Sequence, residues 1–218
     1  TIILPVIILI GLVQTEFISL DTGGLSRVDF VTPGVLGLAA MTAAFTSQAI
    51  ATAFDRRNGV LRLMATTPLG PGGLLFGKIA GVLGVVLVQY LVLGGVAAVL
   101  GWRPTVSGLA LCAGVSVLGV GAFTALALLM ASALRAEAVL AGANIVLLLL
   151  AVGGGVLLPA DHLPEPMNHL ALLLPSGSLG DALRGAFWES QVPAWSGAVL
   201  LAWTTALAWG ARRIFRWD

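Results

Sequence analysis

Phe54-Asp55-Arg56-Arg57-Asn58-Gly59-Val60-Leu61-Arg62-Leu63-Met64-Ala65-Thr66-Thr67-Pro68 is a short polar run set between two long charge-free apolar stretches. It is too polar to lie in lipid, yet it is patterned as an amphipathic helix. Leu61 and Met64 recur at i and i+3 with Val60 and Leu63 beside them, while Arg56, Arg57 and Arg62 supply charge. Thr66, Thr67 and Pro68 then stop it, because proline has no N–H to continue the helical bonding.

Outward from this run the chain is strongly apolar. Hydrophobic residues make up 58% of its 218 and charged residues 10%, with a mean hydropathy of +1.03. A water-facing exterior needs more polar cover than that. The chain therefore reads as an all-α membrane protein, and as one domain over 1–218. Six apolar segments stand out, at 1–15, 34–53, 79–101, 108–133, 138–158 and 194–211. All but the first approach the roughly 20 residues that a helix needs to cross the hydrocarbon core. The chain opens on Thr1, so the expectation is a span joined partway, with an N-terminal cytosolic segment outside this sequence. A signal-peptide core at Thr1–Val13 is the alternative. Gln14-Thr15-Glu16 is a poor cleavage site, however, and no basic run precedes it.

The charges orient the spans. Residues 54–78 carry Arg56, Arg57, Arg62 and Lys78 against Asp55, and the tail carries Arg212, Arg213 and Arg216 against Asp218. Residues 14–33 and 159–193 lean acidic. Placing 54–78, 134–137 and the C-terminus in the cytosol satisfies the preference of cytosolic loops for Lys and Arg. Six crossings fit that placement.

No segment interior holds an ionisable residue; Arg135 and Glu137 fall in a short connection. Ion-coupled carriers usually keep such a group at depth to bind the driving ion, so an external energy source is the better expectation. Neutral polar residues do occur, and Ser and Thr there ordinarily bond their own or a neighbouring helix. Gln48 and Asn144 are costlier to bury and are expected to face a cavity or a partner chain. Gly73, Gly77 and Gly81 share one helix face, continued by Gly84, and read as a close-packing stripe. Gly72-Gly73-Leu74-Leu75-Phe76-Gly77-Lys78-Ile79 nearly spells a phosphate-binding loop, but Ile79 offers magnesium no hydroxyl and no strand precedes it. Lys78 instead reads as snorkelling to the interface. Cys112 is the only cysteine and reads as packing.

Between 158 and 193, Pro159, Pro164, Pro166, Pro175 and Pro193 divide the chain into pieces too short to span a bilayer. These suit short re-entrant or interfacial helices, with Trp188 and Trp195 at headgroup depth. His162 and His169 lack a third ligand at helical spacing, so no metal site is expected, and Asp161-His162 has no clustered nucleophile to make an intramembrane enzyme.

The pattern acidic-Arg-Arg-x-Gly-x-Leu…Thr-Pro-Leu from Asp55 to Leu69 resembles the cytosolic coupling helix of ABC-2 type transporter permeases. Gly153-Gly154-Gly155, Pro159, Leu163-Pro164, Leu174-Pro175 and Asp181-Ala182-Leu183-Arg184 resemble the end of the fifth span and the following loop of the same family. Asp55 stands where Glu is frequent, and the family's amphipathic N-terminal helix is not in this sequence. The resemblance implies six transmembrane helices, a coupling helix between spans 2 and 3, and short re-entrant or interfacial helices between spans 5 and 6. It implies that Asp55, Arg56, Arg57, Asn58, Gly59, Leu61, Arg62 and Leu63 dock on a separate nucleotide-binding ATPase subunit. Anchoring on anionic lipid is the rival role for those arginines. A second permease chain, identical or paralogous, and membrane lipid are the other implied partners, with no nucleic acid. ATP and Mg belong to the ATPase, so no cofactor and no catalytic or metal-binding residue is expected here. Thr42, Phe45, Thr46, Gln48 and Asn144 are the candidate substrate path. The implied cargo is a drug, lipid or hydrophobic metabolite exported across the inner or plasma membrane. Export of a polysaccharide or lipid-linked glycan is the near alternative, and an ion-coupled secondary carrier the distant one.

Overall fold

Ser26 begins the first long helix. Its Oγ accepts the Asp29 N–H at 3.2 Å and donates to Asp29 Oδ2 at 2.5 Å, satisfying a first-turn donor and placing a carboxylate at the positive end of the helix dipole. The computed structural model describes residues 2–14, 24–66, 68, 70–157 and 167–214. Among these the chain forms α1 (Ile3–Gln14), α2 (Arg27–Met41), a π-helical segment (Thr42–Ser47), α3 (Gln48–Arg57) and α4 (Val60–Ala65). Then follow α5 (Gly70–Val99), α6 (Val106–Ala133), α7 (Ala136–Gly153), α8 (Met167–Leu173), α9 (Pro175–Trp188) and α10 (Ala194–Ile214).

Among the described residues, four helices are long and apolar enough to cross a membrane: Arg27–Arg57, Gly72–Val99, Val106–Ala133 and Ala136–Gly153. α1 is apolar but has only 12 residues. α10 has 21, but Trp195, Trp203, Trp209, Thr204 and Thr205 dilute its apolar run. The second span starts earlier than hydropathy alone indicates, because Arg27 and Asp29 sit within its first turn.

Pro33 lies inside α2 and cannot donate to the carbonyl of Asp29. The indole N–H of Trp188 takes that carbonyl at 3.0 Å, and the Trp188 ring stacks on Phe30 at 5.4 Å. Further along, the helix widens over Thr42–Ser47, where Ser47 Oγ donates to the Thr42 carbonyl five residues back.

The short helices before α10 depart most from the outer-loop reading. α9 enters the bundle, with Pro175 to Gly180 and Ala182 to Ala186 buried against α2, α6 and α10. Leu179 and Leu183 on α9 join Phe45, Met41 and Phe123 among the largest fully buried side chains. Arg184 is buried on the same helix, at 3% exposure, so the loop read as external brings a cation into the bundle although the six apolar segments hold none. Its Nη2 donates to the carbonyls of Gly155 at 3.0 Å and Val156 at 2.5 Å, just past the end of α7, where no helical donor reaches them. Asp181 on the same helix accepts from Ser196 Oγ. Residues 158–166, including Asp161 and His162, lie outside the described residues, and His169 is exposed on α8.

Gly77, Gly81 and Gly84 on α5 meet nothing among the described residues, whereas Gly34 on α2 approaches the backbone closely. A Cβ at Gly34 would lie 2.7 Å from the Val156 carbonyl oxygen, so only glycine lets α2 pass there.

Arg56 reaches the end of α6, and Arg212 lies against Gly72 at the start of α5. The polar run, the α5 start, the α6–α7 turn and the α10 end therefore share one end of the bundle. That end holds Arg56, Arg57, Arg62, Lys78, Arg135, Arg212 and Arg213 against Asp55 and Glu137. The opposite end, joined by Thr105 and Ser107 to Ser190, holds Arg27 and Arg103 against Asp29 and Glu189.

Candidate functional site

The polar run is an elbow rather than one helix. α3 carries Asp55, Arg56 and Arg57 to its end, where the N–H of Asn58 still bonds the Phe54 carbonyl at 2.9 Å. Gly59 then takes a left-handed φ of 76°, which residues with a Cβ adopt only at a cost, and α4 starts in a new direction. The expected helix from Asp55 to Ala65 is therefore broken at its centre, because Gly59 supplies the turn that its Asn-Gly pair encodes.

Each of the three charged residues at the end of α3 reaches a different helix. Asp55 faces Lys78 on α5 at 3.4 Å. Arg56 donates to the carbonyls of Ala131 at 2.8 Å and Ser132 at 2.7 Å, in the last turn of α6. Those carbonyls lack intrahelical donors, so Arg56 serves α6 as a cap as well as adding charge. Arg57 pairs with Glu137 in the first turn of α7 at 2.8 Å, both side chains being exposed. Lys78, expected to snorkel to the interface, pairs there with Asp55.

α4 divides its side chains between the bundle and the outside. Leu61 is fully buried, whereas Leu63 is 72% exposed, and Met64 and Arg62 also face outward. Of the two leucines expected to reach a partner, only Leu63 is presented. Beside the elbow, Arg56, Arg57, Arg135 and Glu137, with Ala53 and Ala136, line a cleft of about 260 Å³. Three guanidinium groups against one carboxylate leave it cationic, a surface suited to an acidic partner.

Sequence reasoning missed Glu137, Lys78 and the α6 carbonyls as partners of the elbow. Glu137 was discoverable, since 134–137 is a short connection between two apolar segments that carries an acidic residue. The carbonyls carry no residue signature.

Of the candidate path residues, Thr42, Phe45, Thr46 and Gln48 follow one another through the π-helical segment into α3, and Asn144 lies on α7. Phe45 and Thr46 are buried within the π-helical segment, and Thr46 Oγ1 has no hydrogen-bond partner among the described residues. Thr42 donates to the Leu38 carbonyl at 2.8 Å, and Gln48 is half-buried. Asn144 is exposed on α7 and donates to the Leu140 carbonyl of its own helix at 3.1 Å.

Comparison with known proteins places this geometry. The model of a family described as ABC-2 family transporter protein matches residues 12–211, which takes in the elbow and every helix from α2 to α9. The chain belongs to that family, whose members are membrane transport subunits rather than catalysts. No curated protein matches it.

Proposed function

We propose that this family member is the membrane half of an ABC exporter, driven by a separate nucleotide-binding ATPase subunit that docks on the elbow. The observation that carries the reading is the three-way attachment of Asp55, Arg56 and Arg57 to α5, α6 and α7. A push on the exposed Leu63 and Met64 of α4 reaches three long helices at once through these contacts. The cationic cleft beside Arg57 and Arg135 gives the ATPase an electrostatic foothold. ATP and Mg²⁺ sit in that partner, and this chain contributes no catalytic group.

The excess of basic residues at the elbow end supports a cytosolic elbow and C-terminus in an inner or plasma membrane. α1 and α10 complete six spans with the four long apolar helices. Two such chains enclose the substrate path between them. In support, Phe45 and Thr46 are sealed inside their own bundle, while α7 turns Ile145, Leu148, Leu149 and Val152 outward at 59–66% exposure. The cargo is amphipathic or hydrophobic, matching walls of apolar and neutral polar side chains. Arg184, buried on α9, donates to the Gly155 and Val156 carbonyls, a structural duty, and the six apolar segments hold no Asp, Glu, Lys, Arg or His, which favours ATP over an ion gradient as the power source.

Substrate-stimulated ATP hydrolysis by the assembled complex tests the reading. Arg57→Ala and Gly59→Ala should each uncouple hydrolysis from substrate while leaving the complex assembled. Unchanged stimulation in both would refute docking through the elbow.

A further inference from the structure

At the basic end of the bundle, the first turns of α5 and the last turns of α10 leave a groove of about 390 Å³ between them. This is within the range of small-ligand clefts, roughly 300–1,000 Å³. Its walls are apolar: Leu75, Phe76 and Ile79 from α5, Ala208 and Trp209 from α10. Phe76 is 74% and Trp209 64% exposed, so the groove opens sideways along the outer face of two helices.

One end of the groove is charged. Arg212 lines it, and its guanidinium occupies the space that a side chain at Gly72 would fill, with Nη2 2.9 Å and Nε 3.2 Å from an ideal Cβ there. Arg213 lies over the Trp209 ring, 5.4 Å from its centroid, placing a second cation on the same aromatic wall. No carboxylate pairs with either arginine among the described residues. The amide end of the 30-residue α5 adds its positive dipole to the same corner.

We propose that this groove binds one anionic phospholipid, its phosphate on Arg212 with Arg213 close by and an acyl chain along Phe76, Ile79 and Trp209. Charge complementarity selects the occupant. A guanidinium offers a phosphodiester two parallel donors, and the unbalanced pair of arginines disfavours a neutral or cationic ligand. The sideways opening admits an acyl chain from the bilayer. A bound lipid would join the start of α5, directly after the elbow, to the end of α10. The proposal needs only the membrane placement and stands apart from ATPase docking.

The test titrates the full chain in neutral detergent with phosphatidylglycerol or phosphatidylcholine carrying brominated acyl chains, reading tryptophan quenching. Phosphatidylglycerol should reach half-maximal quenching at an about fivefold lower mole fraction, the advantage expected for one basic side chain at a membrane surface. Arg212→Gln should abolish that preference, and so should Gly72→Leu, which fills the charged end. Either variant that elutes as the parent does serves the purpose. Equal quenching by the two lipids, or a preference retained in a folded variant, overturns the proposal. Competition by inorganic phosphate at millimolar concentration would assign the site to a free anion instead, and loss of quenching on self-association would assign it to a second copy of the chain.

Discussion

The Trp188 indole N–H donates to the backbone carbonyl of Asp29 across 159 residues of sequence, and that carbonyl is the one Pro33 leaves without a helical donor. A defect in α2 is thus repaired by the last residue of α9. Trp188→Phe keeps the stacking on Phe30 but strands the carbonyl, and should cost about 1–2 kcal/mol in denaturant unfolding. In a Pro33→Ala background, where a helical N–H is restored, the same change should cost less than half as much. Equal penalties in both backgrounds would sever the link.

Arg56 and Arg57 are neighbours with different duties. Arg56→Ala strands two carbonyls at the end of α6 and should destabilise the chain by about 2 kcal/mol. Arg57→Ala removes an exposed ion pair and should change stability by less than about 1 kcal/mol. If Arg57 transmits force to α7, exchanging the charges as Arg57→Glu with Glu137→Arg should recover coupled ATP hydrolysis that Arg57→Glu alone loses. The melting temperature of each single variant and the hydrolysis rate of the pair decide the matter.

Gly59 holds the left-handed turn of the elbow. Gly59→Ala should cost roughly 1–2 kcal/mol, because a Cβ clashes with the following carbonyl in that conformation. Gly59→Asn should cost less, since asparagine tolerates the same region. A stability order with alanine above asparagine would contradict the observed geometry.

Thr46 buries a hydroxyl that no protein group satisfies. Thr46→Val should leave stability unchanged or raise it, since an unsatisfied polar group is removed without loss of shape. Transport by the assembled complex should be unchanged too, because Thr46 is sealed inside its own bundle. A fall in transport would overturn a path between two chains that excludes Thr46.

Arg184 ties the end of α7 to α9. Arg184→Met should destabilise the chain by at least about 2 kcal/mol, since the Gly155 and Val156 carbonyls lose their donor inside the bundle. Arg184→Lys should recover only part of this, having one compact donor group in place of a planar fork. A fully stable Met variant would show that the clamp is dispensable.

The parts legible in the sequence are those with a local cause. Runs such as Val106–Ala133 announce apolar helices because lipid tolerates no charge and leaves no backbone group unpaired. The turn at Asn58-Gly59 reads instead as part of one helix, because the amphipathic period on either side outweighs the local signal of the pair. Arg184 was misplaced for the opposite reason: a short polar segment between prolines looks external, and nothing local reveals that its cation meets two stranded carbonyls.

Composition and charge placement alone determined that this chain lives in a membrane, where its polar run lies and which end of the bundle is basic, because hydropathy and Coulomb forces act on residue type. Tertiary structure alone decided that Asp55, Arg56 and Arg57 grip three separate helices, that Leu61 turns inward and Leu63 outward, and that α9 lies inside the bundle. Those outcomes depend on which carbonyls the ends of helices leave unbonded and which residues stand close enough to satisfy them. That information exists only once distant segments meet.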